Sequence, residues 1–383
     1  MKRLLLLCCL LSACVTENDT EELHSIDSRM LLGQPTPAML SDIAESVEVV
    51  RLETRDDALV GVEPTVTMVD SLAVVFSFQN GVFVFDSRTG RFRHKIIGFG
   101  DRGPLGYNGA NINPMTLKAS GRMFLRAWDK IGVWNFRTGE MLGHTLPLNP
   151  YLYQKMLFVN DTLLLGSKFQ IRDLDNAVSA LDAIRYGDGS VVREYGFFEE
   201  TDKNPGLVFG GAVVMSEYGG YINYVHFVHD YIYGIDRETL AIEPRYVLNL
   251  GSRLKENVTP VTVEDFSEEY TSVTAMCETD RWLFLRFYDS PDDVQHCVVY
   301  DKVSRETHFI DSYNWERDGR RYGFVDDLGV GIPFFPDGVT SDGRAYRIVQ
   351  AVDVVAAVGE SRAAELGVSE TDNPVLVVVA LKE

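Results

Sequence analysis

Val82-Phe83-Val84-Phe85-Asp86-Ser87-Arg88-Thr89-Gly90-Arg91 is an apolar strand that runs into a polar turn. Its aromatic and β-branched residues suit a pleated, packed strand. Asp86 can accept hydrogen bonds from backbone N–H groups two residues on and so start the turn. Gly90 supplies the positive φ that ends it. The same order of residue types returns as Gly132-Val133-Trp134-Asn135-Phe136-Arg137-Thr138-Gly139-Glu140 and, more weakly, as Ala183-Ile184-Arg185-Tyr186-Gly187-Asp188-Gly189-Ser190. Two further copies are Tyr233-Gly234-Ile235-Asp236-Arg237-Glu238-Thr239 and Val298-Val299-Tyr300-Asp301-Lys302-Val303-Ser304. With Asp86, Asn135, Arg185, Asp236 and Asp301 taken as equivalent, the steps are 49, 50, 51 and 65 residues. Periods of ~50 residues lie in the range of propeller blades and match no helical solenoid well.

Each copy has two strand-like runs upstream, such as Thr65–Val69 with Ala73–Phe78, and one downstream, such as Phe92–Ile97. Four short antiparallel strands per period make one blade, so the five copies predict five blades. The long step holds Gly251–Tyr270, an acidic insertion read as a loop in blade five. A sixth blade is expected to begin near Val330–Phe335, to continue through Arg344–Gln350 and to end with Pro374–Leu381. Ala351–Leu366 is Ala-rich and apolar-periodic, which predicts one helix inserted in that blade. Ser46–Leu52 has no partner in its own neighbourhood and is expected to supply the outer strand of blade six, closing the ring. The expected fold is all-β, a six-bladed β-propeller of four-stranded antiparallel blades over residues 41–383.

The first 13 residues read as a processing signal. Lys2 and Arg3 precede the apolar run Leu4–Leu11, and small residues stand before Cys14. The run is too short to span a bilayer, which needs ~20 residues. Leu11-Ser12-Ala13-Cys14 resembles a bacterial lipobox, so Cys14 is the expected site of lipidation and membrane anchoring. Residues 14–40, opening with an acidic stretch, read as a flexible tether. The chain carries 36 Lys+Arg against 56 Asp+Glu and a net charge of −20. That balance excludes a nucleic-acid partner, which needs a basic footprint. Of the five cysteines, Cys277 and Cys297 remain in the body, on strands expected to be first and third of one sheet. Such strands lie ~9–10 Å apart, too far for a disulfide, so two buried free thiols are expected.

Ser41–Thr54, the Phe85-Asp86 strand end, Gly98-Phe99-Gly100-Asp101-Arg102-Gly103-Pro104-Leu105-Gly106-Tyr107 and Asp372-Asn373-Pro374-Val375-Leu376 together resemble the six-bladed propeller lipoproteins of Bacteroidota, a group described as TolB-like. The resemblance spans roughly residues 40 to 383. It implies the fold and the lipid anchor and no defined activity; the expected location is the outer membrane, facing the periplasm or the cell surface. The Gly-rich stretch departs from the group's usual pattern at Leu105 and lacks an acidic residue before Tyr107.

Candidate ligand-binding residues are Asp101, Arg102 and Tyr107 in that inter-blade loop, and Asp326 and Asp327 in a second loop expected to face the channel. Gly and Pro at 98–107 equally serve a tight inter-blade crossing. Arg102 suits an anionic or carbonyl group. Paired carboxylates at 326 and 327 suit a divalent cation such as Ca2+ or acid/base work, or a solvated acidic loop. His226 and His229 are three apart, but Tyr221–Phe227 reads as a strand, which points them to opposite sides and argues against a metal pair. Tyr107, Tyr151, Tyr153 and Trp315 fall in loop-like stretches suited to a glycan or peptide platform. No Gly-x-Ser-x-Gly occurs. A non-catalytic module binding a glycan, peptide or partner protein is therefore the first expectation, and a lyase or lactonase using channel carboxylates, with or without Ca2+, the second.

Overall fold

The structure is a computed structural model. It describes residues 23–27, 29, 31, 33–77, 79–97, 114–117, 120–126, 131–145, 153–168, 181–195, 213–226, 231–249, 271–289, 293–314 and 321–382. The first elements are β1 (His24–Ile26), the four-residue helix α1 (Leu40–Ile43) and β2 (Ala44–Arg51). Blade one is β3 (Thr65–Val69), β4 (Leu72–Ser77), β5 (Gly81–Asp86) and β6 (Phe92–Ile97). Blade two is β7 (Pro114–Leu117), β8 (Arg122–Arg126), β9 (Ile131–Asn135) and β10 (Met141–Thr145). Blade three is β11 (Tyr153–Phe158), β12 (Leu163–Lys168), β13 (Leu181–Arg185) and β14 (Val191–Tyr195). Blade four is β15 (Val213–Tyr218), β16 (Tyr221–His226), β17 (Tyr231–Asp236) and β18 (Ile242–Leu248). Blade five is β19 (Thr271–Glu278), β20 (Trp282–Asp289), β21 (Val294–Asp301) and β22 (Glu306–Tyr313). Blade six holds β23 (Gly338–Val339), β24 (Ala345–Val349), the helices α2 (Ala351–Val358) and α3 (Glu360–Glu365), and β25 (Val375–Leu381).

Each blade is antiparallel in chain order, and first strands touch in the succession β7, β11, β15, β19, β23 and β3 around the ring. Those strands therefore line the channel. The expected ring closure holds: β2 pairs with β25 from Ser46 opposite Ala380 to Arg51 opposite Val375, as the outermost strand of blade six. One apolar cluster fills each interface, for example Val69, Val84, Leu125 and Trp134 between blades one and two. The core is thus six sandwiched layers rather than one centre. Twist accumulates over four strands, so the outer strands of blades six, one and three swing onto the short turn of the next blade. Glu53 donates its N–H to the Gly90 carbonyl at 2.8 Å, and Tyr195 its hydroxyl to the Leu240 carbonyl at 2.9 Å.

The repeated turn has one geometry. The N–H of Gly90, Gly139, Gly189, Leu240 and Arg305 bonds the carbonyl of Asp86, Asn135, Arg185, Asp236 and Asp301 at 2.8–2.9 Å. The closing residue is left-handed in every copy, with φ of 70°, 78° and 73° at the three glycines and 59° and 61° at Leu240 and Arg305. At Gly90 a Cβ would meet the Arg51 carbonyl oxygen at 1.7 Å, so this position excludes any side chain. Asp86 Oδ1 accepts from the Thr89 N–H at 2.9 Å and the Thr89 hydroxyl at 2.8 Å.

Four expectations need correction. The innermost strand of blade six is Gly338–Val339, not Val330–Phe335, whose Phe334 instead bridges Phe324. The single helix is two, broken at Gly359, whose φ of 82° no helix accepts. The tether expected over 14–40 is shorter, because residues from 24 on join the body. β1 adds to blade four as a fifth strand, parallel to β18, with His24 opposite Tyr246 and Ile26 opposite Leu248. Ile26 and Leu31 are buried there, a stronger claim on the chain than the acidic composition that suggested a free tether. Tyr153 opens β11 and is buried, its hydroxyl donating to Asp182 at 2.8 Å, so it is core and not platform. The insertion at Gly251–Tyr270 lies outside the described residues.

Candidate functional site at the long-connection end

The two ends of the ring differ. At one end every connection within a blade is at most five residues, as at 87–91, 237–241 and 302–305. At the other end leave 52–64, 98–113, 169–180, 196–212, 249–270, 314–337 and 350–374. Loops on a rigid scaffold are where binding groups collect, so the long-connection end is the candidate face.

The described part of that face is built by blades five and six. Arg286 stands near the end of β20, and its Nη1 donates to the Tyr322 hydroxyl at 2.9 Å. Its Nη2 lies 3.5 Å from Asp337, the residue that leads into the innermost strand of blade six. Its Nε is buried without a hydrogen-bond partner among the described residues. Arg347 is fully buried beside it. It donates to the carbonyls of Tyr322 and Pro333 at 2.9 and 3.0 Å, and its guanidinium lies 4.0 Å from the Tyr322 ring centroid. Tyr322 stacks flat on Tyr313 at 3.6 Å. Tyr322 thus lies against the Arg347 guanidinium and the Tyr313 ring, with Arg286 on its hydroxyl and the Asp337 carboxylate beside Arg286. That arrangement favours an anionic or carbonyl group at the channel wall, because Arg286 retains an unspent donor.

On the opposite face of blade five, Asp289, His296 and Ser312 form a relay on three adjacent strands. His296 Nδ1 lies 2.6 Å from the Ser312 hydroxyl and its Nε2 lies 3.4 Å from Asp289. The ring nitrogens carry the hydroxyl and the carboxylate the other way round from a hydrolytic triad. Asp289 and His296 are buried, and Phe309 packs on the imidazole edge at 5.1 Å. The relay keeps buried polar groups paired under the long connections.

Asp101, Arg102 and Tyr107 lie outside the described residues, as do Cys14, Tyr151, His229 and Trp315. Asp326 and Asp327 are not a channel-facing pair. Asp327 accepts from the Ser41 N–H at 2.9 Å and the Ser41 hydroxyl at 2.5 Å, just before β2, the outermost strand of its blade. That contact with Ser41 lowers its pKa. Asp326 accepts from the N–H groups of Leu328, Val330 and Gly331 at 2.5–2.8 Å. Both carboxylates fold their own loop and pin it to the rim. Among the described residues no three His, Cys, Asp or Glu side chains converge as metal ligands. Cys277 and Cys297 are free and buried on β19 and β21. Burial pushes the Cys277 thiol up to about 12 and raises Cys297 as well.

Asn373 was legible only as part of a resemblance, and its role is structural. It is buried, donates to the carbonyls of Glu53 and Ala58 at 2.8 and 2.7 Å, and accepts from the Val60 N–H at 2.9 Å. It shapes a groove of about 680 Å³ that also touches Arg51, Arg91 and Asp372. The groove sits at the rim, where the long connections 52–64 and 350–374 meet the short turn of blade one. Sequence reading passed over Arg286 and Arg347 because each stands in an ordinary-looking strand.

The ring, its closure and its uneven ends define a six-bladed β-propeller. The chain belongs to the family described as domain of unknown function DUF4934, which matches residues 23–380. In fold it is similar to a crystal structure of a Bacteroides fragilis protein described as exported, at a TM-score of 0.64 and 16% identity, covering 94% of this chain and all of that one. A β-propeller domain from Myceliophteria thermophila (TM-score 0.38, 11% identity, 66% of this chain and 72% of that one) is more distant. So is the extracellular domain of a two-component system from B. thetaiotaomicron (TM-score 0.39, 10% identity, 70% of this chain and 30% of that one). No curated protein matches.

Proposed function

We propose that this chain is an extracytoplasmic binding propeller, anchored in the outer membrane through an acylated Cys14, whose long-connection end receives a glycan, a peptide or a partner protein. The observation that carries the reading is the uneven ring: turns of at most five residues at one end and every long connection at the other. The signal-like N-terminus supports export, as does the fold shared with a Bacteroides protein described as exported. The resemblance to TolB-like lipoproteins supports the anchor. Arg286 serves as the charged contact, meeting an anionic or carbonyl group of the ligand beside the innermost strand of blade six.

A thermal-shift screen of residues 15–383 against oligosaccharides, peptides and divalent metals tests the reading. A ligand at a hundredfold excess over its Kd raises stability by about 2.7 kcal/mol. Hydroxyl-radical footprinting then locates the bound ligand. Protection of Leu59, Val62 or Val352, exposed on the long connections, is expected. Protection confined to the short turns, such as 87–91 and 302–305, would overturn the assignment of the face. A shift abolished by EDTA would replace the binding module with a metal-dependent site.

A further inference from the structure

The anchored chain leaves the propeller from one particular side. β1 runs parallel to β18, which starts at the short turn 237–241 and ends at the long connection 249–270. The N-terminal end of β1, at Leu23 and His24, therefore faces the short-turn side. Its position is consistent with that direction, because both ends of β1 lie beside the short turn of blade five. His24 Nδ1 lies 2.8 Å from the hydroxyl of Tyr300, the residue next to the Asp301 turn, and the Asp27 N–H donates to Thr307 at 3.2 Å, just past that turn. The exit point is thus beside the short turn of blade five.

We infer that the short-turn end of blades four and five is the face held against the lipid surface, and that the long-connection end points away from it. The inference rests on the anchor at Cys14 proposed above and adds the direction in which that anchor holds the ring. Nine residues, 15–23, separate Cys14 from His24, and the ten Cα steps between them reach at most ~35 Å. A tether this short keeps the departure side near the bilayer. From there the segment 24–40 runs on to blade six, with Thr36 donating to the Phe309 carbonyl and Leu40 to the Val325 carbonyl at 2.9 and 2.8 Å. This strap spreads any pull on the anchor over three blades. A ligand-binding face directed away from its own membrane is open to large partners, which a face pressed on lipid is not.

Two exposed positions report the orientation. Val303, 75% exposed, lies in the short turn of blade five, and Val352, 51% exposed, lies on α2 at the long-connection end. A dye is placed at either one by a keto amino acid, Val303→p-acetylphenylalanine or Val352→p-acetylphenylalanine. The full chain is expressed in a lipoprotein-processing host and reconstituted in vesicles carrying an acceptor-labelled lipid. Energy transfer from position 303 is expected to exceed that from 352 at least twofold. Equal or reversed transfer overturns the orientation. The acyl mass on Cys14, with Cys14→Ser as control, is read separately, and its absence removes the anchor itself. In that case residues 14–383 are coupled through the Cys14 thiol to a maleimide-headgroup lipid, and the same comparison still decides which way the nine-residue tether holds the ring.

Discussion

Arg245 of blade four donates to Glu278 of blade five through both terminal nitrogens, at 2.8 and 3.0 Å. Glu278 also accepts from Lys302 at 3.0 Å, the Tyr246 hydroxyl at 2.6 Å and Asn223 at 2.5 Å, and its side chain is fully buried. Burial pushes its pKa up, but the hydrogen bonds and charge of Arg245, with Lys302 behind them, outweigh that and lower it. Removing one member of such a network leaves the others buried and unpaired. Glu278→Gln is therefore expected to cost about 3–5 kcal/mol in chemical denaturation. A loss under 1 kcal/mol would show that water already satisfies the two cations.

The turn carboxylate Asp86 gives an acid signature. The Arg93 guanidinium, 2.5 Å away, holds its pKa at about 2. A folded value below the unfolded one means stability that is complete above about pH 4 and is lost as the pH falls through 2. Asp86→Ala is expected to cost about 1–2 kcal/mol near neutrality. The gap between variant and parent should narrow toward pH 2 in urea melts taken across that window.

The left-handed closing positions are not equal. Arg305 holds φ of 61° with a side chain, where three other copies use glycine. Left-handed backbone costs an L-residue ~1–2 kcal/mol, against the ~0.5–1 kcal/mol by which glycine loosens the unfolded chain. Arg305→Gly should then stabilise by up to about 1 kcal/mol, read as a raised midpoint in guanidinium. Gly90→Ala should do the reverse and by more, because its Cβ meets a fixed carbonyl.

Ile26 tests whether the strap belongs to the body. It is fully buried against blades four and five. Truncation to alanine is expected to cost about 2–5 kcal/mol, whereas Val303→Ala should stay within about 0.5 kcal/mol. Equal effects in calorimetry would return residues 23–40 to a loose tether.

Cys277 and Cys297 should resist a thiol reagent. With burial raising both pKa values, neither presents a thiolate at pH 8. Mass spectrometry after maleimide treatment should find no label on them in the folded chain and two in guanidinium. Labelling of the native protein would mean that blades five and six part.

Five of the six blades were readable because each repeats a local rule. Apolar alternation, an Asx turn and a left-handed closure lie within ten residues of one another, as in Val82–Arg91. The ring closure by Ser46–Leu52 was readable for the opposite reason, as an apolar run with no local partner. Asp326 and Asp327 misled because adjacent carboxylates look alike whether they await a cation or cap a loop. Only the nearness of Ser41, 286 positions away in sequence, decides between them. The division of α2 from α3 at Gly359 was a matter of one backbone angle within a periodic stretch.

The sequence by itself determined the repeat, the strand-forming runs, the acidic charge and the lipobox-like start, because these depend on residue type at short spacing. The tertiary structure alone decided where β1 docks, which way the chain leaves the ring, and that Arg245 and Glu278, or Arg286 and Asp337, meet across a blade interface. Those contacts join residues tens to hundreds of positions apart. The twist and stacking of whole blades set them, and no local pattern encodes that geometry.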